Sequence, residues 1–384
     1  MPVNVASLPP DILGPIFQLL VSSSLQGKID VMGPTERPVV LELLRVCRHW
    51  HAVADSDASL WTTLHLFCPA AGMLPTIRRW LDRAKHLPLS LALADHRRGS
   101  SDHPANTVLQ EFVSRFSQWK SIIVVTANFA PAALHLPLGL GGTNDVLEYA
   151  EFRHDLCTPF ELSYRLWGIL LTSTGLRGMT WIGKCDLGSE TAEEMPYFAA
   201  LMDHTGLARL EYLQTRVTLN NNAVSLLSSL PNLGRLVLTD ITMPAISHGV
   251  LFPLSIPTLH TLEFRSHPSH LMRLNPIMPA LSRIVLNFRY LTLESIAVLL
   301  EEKCTHLKHF ECAVLDDNGA RGGLFAMLAR TMPSLITVKL TFKHRLRRPW
   351  LMGHVRFPDL EHVRIRCEKD GCNEFDSLLP LFRV

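Results

Sequence analysis

Charge is scarce in this chain. Only 19% of its 384 residues are Asp, Glu, Lys or Arg, and the signs nearly cancel, with 37 basic against 35 acidic. That balance removes the electrostatic footprint of a nucleic-acid or anionic-membrane binder. Scarce charge beside 47% hydrophobic content also argues against disorder. Eight cysteines are scattered without regular spacing, so they read as reduced thiols of a cytoplasmic or nuclear protein rather than a disulfide framework. No apolar run reaches the roughly 18 residues of a membrane-spanning helix; the most apolar stretch, Leu162 to Leu176, is broken by Arg165. The amino terminus lacks the basic and apolar regions of a secretory signal, and the expectation is a protein that is not secreted.

Catalytic signatures are missing too. There is no Gly-x-Ser-x-Gly elbow, His-Glu-x-x-His pair or P-loop. Leu138-Gly139-Leu140-Gly141-Gly142 has the wrong spacing for a dinucleotide fingerprint and reads as a loop. Cys367 and Cys372 have ligand-like spacing, but a zinc site needs about four converging ligands and no second cysteine pair is near. His267 and His270 read as a loop. Glu301-Glu302 and Asp316-Asp317 are adjacent in sequence, and adjacent helical residues do not face each other. The expectation is a protein that is not an enzyme, with no cofactor and no metal.

What the chain does contain begins in its first 66 residues. One run is Leu8-Pro9-Pro10-Asp11-Ile12-Leu13-Gly14-Pro15-Ile16-Phe17; a second is Val46-Cys47-Arg48-His49-Trp50-His51-Ala52-Val53-Ala54, closed by Leu60-Trp61. Pro9 and Pro10 suit a helix start, and Asp11 suits the positive end of its dipole. Ile12, Leu13, Ile16, Phe17, Leu19 and Leu20 follow at helical spacing. Breakers at Gly27, Gly33, Pro34 and Pro38 predict a loop from Ser22 to about Arg37. Helices are expected over Val39–Cys47 and Trp50–Ala54, then an extended run from Leu60 to Leu66. Three short helices leave apolar side chains in need of partners, each gaining roughly 1.5–3 kcal/mol when buried.

The pattern Leu-Pro-x-x-Ile-Leu-x-x-Ile-Phe, then Val-Cys-Arg-x-Trp-x-x-Val-Ala, then Leu-Trp resembles the F-box of many fungal F-box proteins. The resemblance implies that Leu8, Pro9, Ile12, Leu13, Ile16, Phe17, Cys47, Trp50, Leu60 and Trp61 occupy the positions that dock a Skp-type adaptor, and through it a cullin.

Beyond this module a helix is expected over Met73–Lys85, with Ile77, Trp80, Leu81 and Ala84 inward and Arg78, Arg79, Arg83 and Lys85 solvated. His86 to Leu93 alternates like a strand, Asp95 to Pro104 is a polar loop, and Val108–Phe116 is helical.

The remainder is repetitive. The unit is Pro-x-Leu-x-x-φ-x-φ, with φ apolar, as in Pro231-Asn232-Leu233-Gly234-Arg235-Leu236-Val237-Leu238. Its lead residues are expected at 119, 147, 176, 207, 233, 259, 281, 307, 335 and 360, with gaps of 22 to 31. This period matches leucine-rich repeats, one strand plus a helix or turn per unit. Strand side chains alternate, so the two φ positions point inward and the residues between them outward. Helices are expected between strands at Ala223–Leu230 and Leu293–Glu302. The chain resembles the repeat region that follows the F-box in many such proteins, without the regular asparagine ladder.

The expected organisation is an α/β chain: a three-helix F-box module over 1–66, a linker and first layer over 67–115, and an irregular solenoid of parallel strands alternating with helices over 116–384. By resemblance, such a chain is the substrate-recognition subunit of an SCF-type ubiquitin ligase, the solenoid holding a protein substrate and touching neither nucleic acid nor membrane. Arg235, Val237, Glu263, Arg265, Arg283, Lys339, Arg364 and Arg366 are the expected recognition residues, and their arginines point to an acidic partner. The alternative is a repeat scaffold whose amino-terminal helices only cap the solenoid. The one basic run, Lys343 to Arg348, falls at a solenoid rim.

Overall fold

The computed structural model describes residues 8–25, 38–95, 97, 104–126, 144–154, 170, 173–182, 205–218, 220–242, 251, 253–266, 270, 273–274, 277–291, 306–315, 328–342 and 357–367. The chain divides into two compact units, Met1–Leu176 and Arg177–Val384.

The first unit opens with helices α1 (Pro10–Leu25), α2 (Val39–Val46) and α3 (Arg48–Ser56). Helix α1 runs through Pro15 and on to Leu25, past the loop start expected at Ser22. The second and third helices are separated by Cys47 alone, in extended conformation. Its Sγ accepts from the Trp50 N–H at 3.4 Å, so a cysteine caps α3 where Ser or Asp is usual. Leu60 and Trp61 do not begin the extended run. They close a short 3₁₀ turn over Ala58–Trp61, because Asp57 accepts from the Ser59 N–H and hydroxyl and tightens the chain there.

Strand β1 (Thr63–Phe67) comes next, then α4 (Leu74–Arg83), β2 (Leu89–Asp95), α5 (Pro104–Val113), β3 (Trp119–Thr126) and β4 (Tyr149–His154). The helix expected over Val108–Phe116 starts earlier, at Pro104, and Phe116–Gln118 form a separate 3₁₀ turn. The four strands are parallel and lie in sequence order. Their inward positions align as Leu64–Leu91–Ile122–Ala150 and Leu66–Leu93–Val124–Phe152. All eight are buried. A turn at Asn144 fixes the approach to β4: its side chain donates to the Phe116 and Trp119 carbonyls and accepts from the Val146 and Leu147 N–H groups. The next turn needs glycine, since a Cβ on Gly175 would fall against the carbonyls of Asp145 and Leu147.

The second unit holds β5 (Gly178–Ile182), β6 (Tyr212–Thr218), helix α6 (Asn221–Ser228), β7 (Arg235–Thr242), β8 (Thr261–Arg265), β9 (Arg283–Leu291), β10 (His309–Leu315), β11 (Thr337–Phe342) and β12 (His362–Cys367), again parallel and in order. Helix α6 fits the expected Ala223–Leu230 helix, capped by the Asn220 side chain accepting from the Ala223 N–H. The helix expected over Leu293–Glu302 lies outside the described residues, as do the loop at 138–142, the acidic pairs and the basic run.

Two apolar columns cross β7 to β12: Leu236–Leu262–Ile284–Phe310–Val338–Val363, and Leu238–Phe264–Leu286–Cys312–Leu340 on β7 to β11. Every one of these side chains is buried. Burial pushes the Cys312 thiol up, so it stays protonated and acts as a small apolar filler. The turns before the strands stack as well. The Gly234 carbonyl accepts from the N–H groups of His260 and Thr261, that of His260 from Ser282 and Arg283, that of Ser282 from Lys308 and His309, and that of Lys308 from Ile336 and Thr337. This backbone ladder satisfies the turn carbonyls without asparagine side chains.

The unit expected at Leu207 is displaced by three residues. Leu210, not Leu207, is its lead: Glu211 takes the ladder position, its carbonyl accepting from Gly234 and Arg235. Leu213 and Thr215 then stand beside Leu236 and Leu238, and Tyr212, expected inward, is half-exposed. A run of 3₁₀ turn over Thr205–Arg209 takes up the offset.

Candidate functional site

Two surfaces carry the residues that the sequence singles out. The first is built on α1, whose apolar residues form two stripes. On the inner one, Leu13 and Phe17 are 0% exposed. Phe17 packs against Trp50 of α3 with ring centroids 4.9 Å apart. Leu60 and Trp61 are equally interior, and the Trp61 indole N–H donates to the Ala54 carbonyl at 2.9 Å. Leu13, Phe17, Leu60 and Trp61 were expected to touch a partner; burial against the module's own helices makes them the frame of the surface instead.

The outer stripe is Ile12, Ile16, Leu19 and Leu20, at i, i+4, i+7 and i+8, the spacing of one helix face. Ile12 is 47% exposed, Leu19 71% and Leu20 42%; Val46, closing α2, is 56% exposed. Pro9 is exposed, and Leu8, Ile16, Cys47 and Trp50 are half-buried. The Leu8 carbonyl lies 2.8 Å from His49 Nε2, which ties the segment before α1 to α3. Leu19, Leu20 and Val46 were not among the expected contact residues. The signal for Leu19 and Leu20 was the helical angle: Ile12, Leu13, Ile16, Phe17, Leu19 and Leu20 on one 16-residue helix are too many for a single buried stripe.

Helix α4 is fastened to this module. Its Arg83 pairs with Asp55 at 2.5 Å and stacks on the Trp61 ring at 4.4 Å, while Trp80 meets Trp61 edge-on at 4.8 Å. Arg83 was expected to be solvated; the aromatic face and the carboxylate hold it down. Arg78 likewise pairs with Glu111 at 2.8 Å.

The second surface is the sheet face of the carboxy-terminal unit opposite the apolar columns. Here charges alternate across strands. On β7 and β8, Arg235 and Arg265 both reach Glu263, at 3.4 and 2.5 Å, and Arg235 also lies over the Tyr212 ring at 5.3 Å. Val237 stands on this face as expected, in register with Gln214 and Glu263, but it is 1% exposed and not open for recognition. On β9 to β12 the strand register lines up Arg283, His309, Thr337 and His362 in one row, and Val285, Glu311, Lys339 and Arg364 in the next. Glu311 lies 3.4 Å from Arg283 and 3.8 Å from Lys339. All of these row residues but Val285 line a depression of about 570 Å³. Burial and the cations Arg283, Lys308 and Lys339 lower the His309 pKa, so its imidazole is neutral at pH 7. Arg366 lies on β12, opposite Thr341.

Among the described residues no cluster of three or more His, Cys, Asp or Glu could hold a metal. His270 contacts the Ser266 hydroxyl at 3.1 Å; Cys372 and His267 lie outside the described residues. No helix among the described residues is long and apolar enough to cross a membrane.

No curated protein matches the chain. A family model described as F-box-like matches residues 5–67, the stretch that runs from before α1 to the end of β1, and this stretch is an F-box-like domain.

Proposed function

We propose that the protein is the substrate-recognition subunit of an SCF-type ubiquitin ligase. The F-box-like domain docks a Skp-type adaptor, the adaptor joins a cullin, and a leucine-rich-repeat-like solenoid holds a protein substrate. The chain performs no chemistry itself. The observation that carries this reading is the F-box-like match over a module whose α1 leaves Ile12, Leu19 and Leu20 exposed beside Val46 of α2. Such a stripe fits the apolar centre of a helical interface, where a few anchors dominate affinity. Leu8, Pro9, Ile16, Cys47 and Trp50 form the surround, over the frame of Leu13, Phe17, Leu60 and Trp61.

The test is co-expression of the full chain with a Skp-type adaptor, beside an Ile12→Asp/Leu19→Asp variant. The reading expects a one-to-one complex with the parent and none with the variant. A parent chain that purifies alone, monodisperse and without adaptor, would contradict it.

One observation favours a second reading. Strand β1, inside the matched stretch, pairs with β2 of the sheet, as it would if the helices were the solenoid's terminal cap. A cap needs no adaptor, so the same co-expression separates the two.

A further inference from the structure

Pro9 and Pro10 stand at the head of α1, and neither has an N–H to offer. The Pro9 carbonyl is taken up inside the helix, accepting from the Ile12 and Leu13 N–H groups at 3.0 Å. The Leu8 carbonyl is left to anchor this segment to the rest of the module. It lies 2.8 Å from His49 Nε2, across 41 residues of sequence. A carbonyl only accepts, so Nε2 carries the proton and donates. Among the described residues this is the one hydrogen bond from Leu8 or Pro9 to α2 or α3.

One bond is enough to place both side chains. The residue before a proline is held to extended conformations, and the proline's own φ is fixed at about −65°. Few torsions remain between the Leu8 carbonyl and the first turn of α1. Once that carbonyl is pinned, the half-buried Leu8 and the exposed Pro9 have a set place at the head of the outer stripe, which begins at Ile12. The donor is itself held. Helix α3 begins at Arg48 under the Cys47 cap, which fixes where His49 starts from. Its neighbour Trp50 packs against Phe17 on the inner side of α1. Adjacent residues of α3 thus hold α1 at two levels: Trp50 seats the helix, and His49 seats the segment leading into it. Gln18 adds a hold further along, donating to Ser59 Oγ at 2.8 Å. The resemblance to the F-box gives His49 no role, since it fills the unspecified position of Val-Cys-Arg-x-Trp.

We propose that His49 is a positioning residue for adaptor docking: its bond to the Leu8 carbonyl fixes Leu8 and Pro9 at the head of the outer stripe, so that they meet the adaptor together with Ile12. This rests on the substrate-receptor reading for the identity of the partner. The imidazole acts through Leu8 and Pro9, not by contact with the adaptor. Releasing the carbonyl lets both side chains leave their place in the free chain, and the adaptor must then order them again on binding. The loss expected is that of one hydrogen bond, about fivefold in affinity.

The experiment uses the full chain in complex with a Skp-type adaptor. Labelled adaptor in the complex is chased with an excess of unlabelled adaptor, and its release is timed. His49→Ala and His49→Phe should release it about fivefold faster, since phenylalanine fills the space but cannot donate. His49→Gln, whose amide N–H can reach the same carbonyl, should stay within about twofold of the parent. A side chain needed only for packing would not be rescued by glutamine. All three variants should melt within about 2 °C of the parent. Amide exchange of the full chain without adaptor is the second readout: exchange at residues 11–13 should quicken in His49→Ala and His49→Phe and not in His49→Gln. Release from His49→Ala and His49→Phe as slow as from the parent would overturn the proposal and leave the substrate-receptor reading standing. Release equally fast from all three variants, or early melting shared by His49→Ala and His49→Phe, would overturn it in favour of packing. If the parent forms no adaptor complex, that reading and this proposal fall together.

Discussion

In the amino-terminal unit the unusual exposed surface is apolar: Ile12, Leu19, Leu20 and Val46 stand in solvent at 42 to 71% exposure. In the carboxy-terminal unit it is charged: Arg283, His309, Glu311, Lys339 and Arg364 line a depression on the sheet. The two differ because their elements differ. A short helix in a three-helix module has too little interior to hide two apolar stripes, so one is left outside. A sheet hides every second residue on one face and tolerates polar residues on the other. Apolar contact is insensitive to salt and favours a permanent partner; charge pairing is sensitive to salt and suits partners that change.

The sharpest way to break the comparison is to swap the two stripes of α1. Leu13→Asp would bury a lone carboxylate in a site that is 0% exposed, and is expected to cost about 4 kcal/mol or more and unfold the module. Ile12→Asp changes an exposed position, and should leave the melting temperature within about 2 °C. Thermal melts of both variants, read by circular dichroism, decide whether Ile12 lies on the surface. If both melt early, the stripe is core and the comparison fails.

In the second unit the same contrast falls on neighbouring residues. Leu213→Ala removes a 3%-exposed side chain beside Leu236, and should cost about 2–5 kcal/mol. Tyr212→Ala loses the bond from its hydroxyl to Gln214 at 2.8 Å and the contact with Arg235, about 1–2 kcal/mol in sum. Denaturant unfolding that ranks them the other way would restore the Leu207 register. The smallest effect tests the apolar character of the outer stripe: raising salt from about 0.1 to about 0.5 M should change adaptor binding by less than twofold.

Much of this was legible in the sequence. The lead residues Leu233, Leu259, Leu281, Leu307, Leu335 and Leu360 are all buried, because a proline or threonine two residues earlier sets the turn and the alternation then runs undisturbed. The pattern misled at Leu207, where Leu207, Leu210 and Tyr212 satisfy it by accident. The real unit, Leu210-Leu213-Thr215, carries a threonine at an inward position, and only its neighbours on β5 and β7 reveal it. The module's helices were readable from proline and apolar spacing, yet which apolar residues of α1 face out depends on where Trp50 packs. The charged face was readable as alternation, but not its pairing. Arg235 and Glu263 are 28 residues apart, and Arg283 and Glu311 likewise. Register alone brings them together, holding Glu263 tightly between its arginines and Glu311 only loosely against Arg283 and Lys339.

Adaptor binding through the outer stripe of α1 is the central claim. Hydrogen–deuterium exchange of the full chain, with and without a Skp-type adaptor, tests it most directly. A docking face on α1 predicts added protection in residues 10–25 and 39–56, with the strands of the carboxy-terminal unit unchanged. Unchanged exchange in those helices, or protection confined to the sheet, would contradict it.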